Sequence, residues 1–292
     1  MHPMLNIAVR AARRAGDLIV RHADRAAGLR ADTKGLNDFV TEVDRMAEEA
    51  IIDTLKTAYP AHGILAEESG RSGPAGAYLW IIDPLDGTTN FLHGFPQFAV
   101  SVALQVKGRI EQGVVYDPLR QELFTATRGS GAQLNDRRIR VSRQRTLQGA
   151  LLGTGFPFRE QQHVDTYLQT LRAFMAITSG IRRAGAAALD LAYVACGRLD
   201  GFWEFGLKPW DMAAGALLIE EAGGMVGDPW GGDDYLHKGH IVAGNTRLFP
   251  EMLETLKSHL VGTAFRPGEP HGAGMKKIPS PARATGEVRH RE

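Results

Sequence analysis

Cysteine is almost missing from this chain. Cys196 is the only one among 292 residues, so no intramolecular disulfide can form and no cysteine-rich zinc site exists. It sits in an apolar helical stretch, where a small buried hydrophobe is the better reading than a nucleophile. No apolar run approaches the ~18 residues that suggest a membrane span. The N-terminus also lacks a signal-peptide core, because Arg10, Arg13, Arg14 and Asp17 interrupt it. A cytoplasmic protein with no membrane partner is therefore expected. No G-x-x-x-x-G-K-[ST] loop is present, which argues against nucleotide hydrolysis of the P-loop type. Ser69, Ser101 and Ser142 lack the G-x-S-x-G setting of a hydrolase nucleophile. His237 and His240 miss the i, i+4 spacing of a helical zinc pair. Strong net charge is missing too: the formal charge is +1, with +3 in residues 263–292 and −2 in the remainder. The body is no general polyanion binder.

What is present is the material for a large core, 43% apolar and 23% charged, as in globular proteins. The chain is organised around Trp80 to Asn90, WIIDPLDGTTN. Tyr78 to Ile82 reads as a short buried strand, and Asp83 and Asp86 follow it, with Pro84 fixing the backbone between. Both acids are expected at the rim of a sheet. Gly87-Thr88-Thr89-Asn90 then offers backbone N–H groups as a nest for an anion. Hard carboxylate oxygens suit Mg²⁺, which completes its octahedron with waters and phosphate. Taken alone, DPLDG reads equally as a turn, and either threonine as a helix cap. A second Asp, two threonines and Asn90 in fixed order after a buried strand decide against a mere turn.

Along the chain, Leu5, Ala8, Ala12, Ala15, Leu18 and Ile19 recur at helical spacing from Met4 to about Ala27, with Gly28 as a stop. A second helix is expected from about Thr41 to Ala58, opened by a Thr41/Asp44 capping box. Glu67 and Glu68 follow the apolar run Gly63 to Ala66; alone they read as a solvated loop. Phe98 to Val106, Gly113 to Tyr116 and Glu122 to Thr127 predict consecutive hairpins. Arg137, Arg138, Arg140, Arg143 and Arg145 form a basic cluster without interleaved aromatics, and a solvated loop is the favoured reading. Beyond Leu147 strands and helices alternate: Ala150 to Thr154, Gly201 to Glu204 and Ile241 to Ala243 as strands, Val164 to Ile177, Ala186 to Gly197 and Met212 to Ala222 as helices. That is the pattern of an α/β half. Pro209 opens the last helix, and Asp211 in its first turn gains from the helix dipole whatever else it does. The division expected is 1–146, 147–262 and a disordered basic tail, 263–292.

DPLDGTTN resembles the signature of the inositol monophosphatase family, within the lithium-sensitive, magnesium-dependent phosphatases. LAEES around Glu67, DFVTEVD ending at Asp44, and KPWDMAAG with Trp210-Asp211 are similar to further family motifs, in the family's order. FAVSVAL, VVYDP, ELFTATRG and ALDLAYVACGRLDGFWE point to a bacterial branch, and the likeness runs from about Met4 to about Leu260.

The resemblance implies a layered αβαβα sandwich, mixed α/β, shared with fructose-1,6-bisphosphatase. It implies Mg²⁺-dependent hydrolysis of myo-inositol 1-phosphate by direct in-line attack of a metal-activated water, inhibited by Li⁺. Glu67, Asp83 and the Leu85 carbonyl would hold one Mg²⁺; Asp83, Asp86 and Asp211 a second; and a third would join near Glu67. Thr88, hydrogen-bonded to Asp44, would activate the water with Glu67, and the Gly87 and Thr88 amides would hold phosphate. Asp86, Arg183, Gly185, Ala187, Glu204 and Asp211 would contact substrate. One departure stands out: Ala186 occupies a position where many relatives carry Ser or Thr. Fructose 1,6-bisphosphate, histidinol phosphate and a 3′-phosphonucleotide are the other substrates implied. A homodimer is expected. A different class of function is association with the transcription machinery or RNA, with a secondary phosphatase activity, through the arginine cluster or the tail.

Overall fold

A computed structural model describes residues 2–23, 31–35, 38–158 and 161–260. In chain order the elements are α1 (Pro3–Ala23), β1 (Ala31–Gly35), β2 (Asp38–Thr41), α2 (Glu42–Ala58), β3 (Gly63–Ala66), β4 (Gly70–Ser72), β5 (Tyr78–Asp86) and α3 (Thr88–Leu92). There follow β6 (Ala99–Val106), β7 (Arg109–Asp117), β8 (Glu122–Thr127), β9 (Gly131–Leu134), β10 (Arg137–Arg138), β11 (Leu151–Thr154) and α4 (Val164–Met175). The last described elements are β12 (Gly180–Arg182), α5 (Ala187–Ala195), β13 (Gly201–Phe205), α6 (Pro209–Glu221), β14 (Gly224–Gly227), α7 (Tyr235–Lys238), β15 (His240–Asn245) and α8 (Leu248–Leu260).

Beside a two-stranded β1-β2 ribbon, two larger sheets organise these elements. Eight strands run β10-β9-β8-β7-β6-β5-β3-β4, and five run β12-β11-β13-β15-β14. The larger sheet is a meander of antiparallel neighbours except for β3, which lies parallel to β5 with Ala66 opposite Ile82. In the smaller sheet β12, β11 and β13 are parallel, whereas β15 runs antiparallel to both β13 and β14. Strand periodicity sorts residues between the layers. Trp80 and Ile82 pack toward α1 and α2 with Val102 and Val114. Ile81 and Ala103 face the opposite side, where α5 and α6 lie with Phe202 and Ala243 of the small sheet. The far face of that sheet, with Trp203 and Val242, is covered by α4 and α8. Five layers result, αβαβα, as expected. A strand buried on both faces loses its polar alternation, which is why β5 reads as one apolar run.

The middle helix layer is built from small residues. Ala213, Ala214 and Ala216 are fully buried on α6, and a Cβ on Gly215 would stand 2.5 Å from Leu191 Cβ of α5. Helix α6 is apolar nearly all round, as a helix enclosed between two sheets must be. At its start Ser101 Oγ of β6 donates to the Trp210 carbonyl at 3.1 Å, fixing the turn that carries Asp211.

Three expectations need adjustment. β5 does not stop before its acids. It continues to Asp86, and its register against β6 slips so that Asp83 faces Ser101 while Asp86 faces Ala99. That bulge absorbs Pro84, which has no N–H for a ladder, and re-aims the acids. Second, a strand, β2, precedes the helix expected from Thr41 and carries Phe39-Val40. Third, α8 and the short α3 were not anticipated. The expected end of the first helix at Ala27 and Gly28, and the 263–292 tail, lie outside the described residues. Among the described residues no helix is long and apolar enough to cross a membrane.

Candidate active site

Glu67 follows directly from the parallel pairing of β3 and β5. Its N–H donates to the Ile82 carbonyl at 3.1 Å, which sets its side chain beside Asp83; the two carboxyls share a hydrogen bond. The next two amides, Glu68 N and Ser69 N, donate to Oε2 and Oε1 of Glu48, both at 2.8 Å. Glu48 is buried on α2 and so clamps the turn that holds Glu67. Asp83 is 1% exposed, and its Oδ1 accepts from Leu85 N at 3.0 Å inside the bulge. Burial pushes the Asp83 carboxyl well above its ordinary value, and the charges of Glu67, Asp86 and Asp211 push it further. Asp86 is raised in the same way, by burial and by Asp211, against the Ala188 N–H donating to its Oδ2 at 2.7 Å. Asp211 accepts from Lys208 N at 2.7 Å, which holds it at the start of α6.

Next to the acids the chain turns through Gly87, whose φ is 99°. A Cβ there would approach the Gln97 carbonyl to 2.8 Å, so this tight entry into α3 requires glycine. Thr88 Oγ1 then lies 2.9 Å from Asp44 Oδ1. The other oxygen of Asp44 accepts from Thr41 N at 2.8 Å and Thr41 Oγ1 at 2.5 Å, the expected capping box of α2. Burial pushes the Asp44 carboxyl up, against the hydrogen bonds from Thr41 and Thr88. Asn90 Nδ2 donates to Gln97 O at 2.7 Å and to Ala184 O at 2.9 Å. Through it, the loop before α5 is tied to the acid turn.

These groups line one cleft of about 440 Å³. Glu67, Asp83, Leu85, Asp86, Gly87, Thr88, Arg183, Gly185, Ala187, Glu204 and Asp211 all face it, with Asp44 behind Thr88. Arg183 lies over Phe156 and Phe158, its guanidinium carbon 5.1 and 5.0 Å from the ring centroids. Ala186 is buried at the N-cap of α5 with no side-chain cap bond. His237 is not part of the cleft; it pairs with Asp234 at 2.7 Å. His240 is buried, its Nδ1 accepting from Gly206 N at 3.2 Å. Burial pushes the Cys196 thiol up, as suits an inert side chain.

Glu48, Asp190, Gly155, Phe156 and Phe158 were missed from the sequence. For Asp190 the signal was there: an acid inside the apolar run AALDLAYVA.

Among the described residues no group of three His, Cys, Asp or Glu side chains is spaced as it stands to hold a metal ion. The donor chemistry nevertheless suits Mg²⁺, which takes one or two carboxylates and fills its remaining positions with carbonyl, water and phosphate oxygens. Buried acids that share a hydrogen bond and raise one another's proton affinity form a site where a divalent cation can replace the proton.

The chain belongs to the inositol monophosphatase family, whose sequence model matches residues 1–260; members are generally Mg²⁺-dependent phosphatases. It is 60% identical over 265 residues to the Nus factor SuhB of Pseudomonas aeruginosa, covering 89% of this chain and 98% of that one. Its identity to the Nus factor SuhB of Escherichia coli is 55% over 261 residues, covering 89% and 98%. Among solved structures, the extragenic suppressor protein SuhB of Bartonella henselae superposes with a TM-score of 0.85 at 50% identity, covering 88% of this chain and 99% of that one.

Proposed function

We propose that the protein hydrolyses a small phosphate monoester, myo-inositol 1-phosphate first, in a Mg²⁺-dependent and Li⁺-sensitive reaction in the cytoplasm. The observation that carries this is the meeting of Glu67, Asp83, Asp86 and Asp211 beside the Thr88–Asp44 pair in one cleft. Glu67, Asp83 and the Leu85 carbonyl would hold one Mg²⁺, Asp83, Asp86 and Asp211 another, and a third would join near Glu67. Bound there, the cations would neutralise ester charge and lower the pKa of a coordinated water.

The chain's own groups do the rest. The Thr88 proton is directed to Asp44, so the hydroxyl's lone pairs face the cleft and accept from the attacking water. Glu67 orients the same water. The Gly87 and Thr88 amides take phosphate oxygens in the turn that Gly87 permits. Glu204, with Arg183 and the backbone of Gly185 and Ala187, faces the leaving alcohol, to which Asp86 and Asp211 also present oxygen. Residues 1–146 supply the phosphate end and 147–262 the alcohol end, as two halves of one site. Leu168 and Met175 on α4 are 51% and 66% exposed, an apolar face that suits a homodimer.

The test is phosphate release from a panel of esters, with and without Mg²⁺ and with added Li⁺. The panel includes inositol 1-phosphate, fructose 1,6-bisphosphate, histidinol phosphate and a 3′-phosphonucleotide. Metal-dependent, Li⁺-inhibited release supports the reading, and the best ester names the substrate. No release from a folded, Mg²⁺-binding protein would end it.

A second reading is association with the transcription machinery, favoured by the Nus factor name of the relatives and by a specific surface. Arg137, Arg138, Arg140, Arg143 and Arg145 are all exposed. Part of their loop is pinned by Asn245 Nδ2, which donates to Gln144 O at 2.9 Å. Binding to RNA polymerase or RNA that survives both tail deletion and alanine at these arginines would remove both segments from that role.

A further inference from the structure

Among the described residues, two carboxyls in the cleft accept no hydrogen bond. Asp190 lies in the first turn of α5, 2% exposed, and Glu204 comes from β13 on the facing wall. Both line the cleft, and among the described residues nothing donates a hydrogen bond to either carboxyl. The local backbone makes room for Glu204: a Cβ on Gly155 would fall 1.9 Å from its Oε1. Gly155 comes just after β11, which runs parallel to β13 with Gly153 opposite Phe202. After burial, the Asp190 charge is the largest influence raising Glu204, and Arg183 opposes the rise at both. Arg183 itself is held over Phe156 and Phe158 at the lip.

Carboxyl oxygens that open only onto the cleft and accept from no described side chain or amide are free to take donors from a ligand. Hydroxyl groups are the donors that suit, because they place an O–H on each carboxyl and add no charge to an acidic wall. We propose that Asp190 is a second hydroxyl-reading residue of the leaving-group subsite, its carboxyl and that of Glu204 accepting from two different hydroxyls of a polyol phosphate. This rests on the phosphatase reading above and sharpens its substrate class: an ester whose leaving alcohol carries at least two free hydroxyls close together.

The experiment compares wild type, Asp190→Asn and Asp190→Ser on inositol 1-phosphate, on its single-deoxy analogues and on p-nitrophenyl phosphate, which has no leaving-group hydroxyl. The ratio of kcat/KM for the polyol ester to that for p-nitrophenyl phosphate falls about tenfold or more in either variant. One deoxy analogue loses this sensitivity to position 190, and a different one loses sensitivity to Glu204→Ala. Equal falls on both esters, as a merely structural residue would give, overturn the inference and leave the phosphatase reading standing. Calorimetric binding of inositol 1-phosphate to wild type and Asp190→Asn in Ca²⁺ gives a second readout, independent of turnover. The expected result is about tenfold weaker binding to the variant. No difference, including no binding by either protein, overturns the inference. Absence of phosphate release from every ester instead overturns the phosphatase reading.

Discussion

Thr88 has one hydroxyl proton to give, and its surroundings decide where it goes. Leu85 O at 3.2 Å competes with Asp44 Oδ1 at 2.9 Å, and the shorter, charge-assisted bond to the carboxylate is the stronger. Replacing Thr88 by Val keeps the shape and removes the proton. In the proposed mechanism kcat falls at least about 10²-fold with KM little changed, and urea unfolding shows a loss of about 1–3 kcal/mol for the unsatisfied Asp44 oxygen. Asp86→Asn acts in the opposite sense on stability. It removes one of four mutually repelling acids around the cleft, so thermal melting without metal is unchanged or higher, while Mg²⁺-dependent phosphate release falls about 10²-fold or more. Turnover equal to wild type would sink the metal-ligand assignment.

At the scale of elements, caps and clamps hold the acid-bearing turns. Thr41 caps α2 and also binds Asp44, so Thr41→Ala is expected to cost about 2 kcal/mol in urea unfolding, at the upper end for a cap. A similar device closes the loop before α7. The Asp228 carboxyl accepts from Trp230 N and Gly232 N, both at 2.9 Å, and from Lys238 Nζ at 2.6 Å. Burial tends to raise this acid, but Lys238 and the two amides win and hold it below its ordinary 3.8. A carboxyl whose pKa is lowered by folding stabilises above the unfolded value, and that stability is lost as pH falls through the folded one. Asp228→Asn should therefore destabilise by about 2 kcal/mol at neutral pH. The gap to wild type should close only below pH 3.8, as chemical denaturation across pH would show.

The same elements show what the sequence discloses and what it hides. The helix after Thr41, the hairpins from Ala99 to Thr127 and the acids around Pro84 are legible because local period and turn chemistry specify them. The β5 bulge is not, because it depends on which β6 residue each acid faces. Glu48 reads as one more polar residue on an amphipathic helix; only the folded turn brings Glu68 N and Ser69 N to it. The reversal of β15 against β13 is equally invisible, since alternating strands and helices suit either direction.

For the whole molecule, the acids come from segments that touch only in the native state, so a bound cation should act on global stability. If Mg²⁺ binds the native site and not the unfolded chain, a concentration 100 times its Kd adds about 2.7 kcal/mol, and EDTA removes it. A melting temperature indifferent to Mg²⁺ and EDTA would argue against the site.

The five-layer order also has a history in time. The larger sheet is finished at Arg138, yet the cover for its Ile81 and Ala103 face arrives only with α5 and α6, about fifty to eighty residues later in synthesis. At roughly 5–20 residues per second on the ribosome, that apolar face stays bare for several seconds in every nascent chain. A chain stalled or truncated before Pro209 would display it permanently, making premature termination in this stretch a route to aggregation and to capture by chaperones.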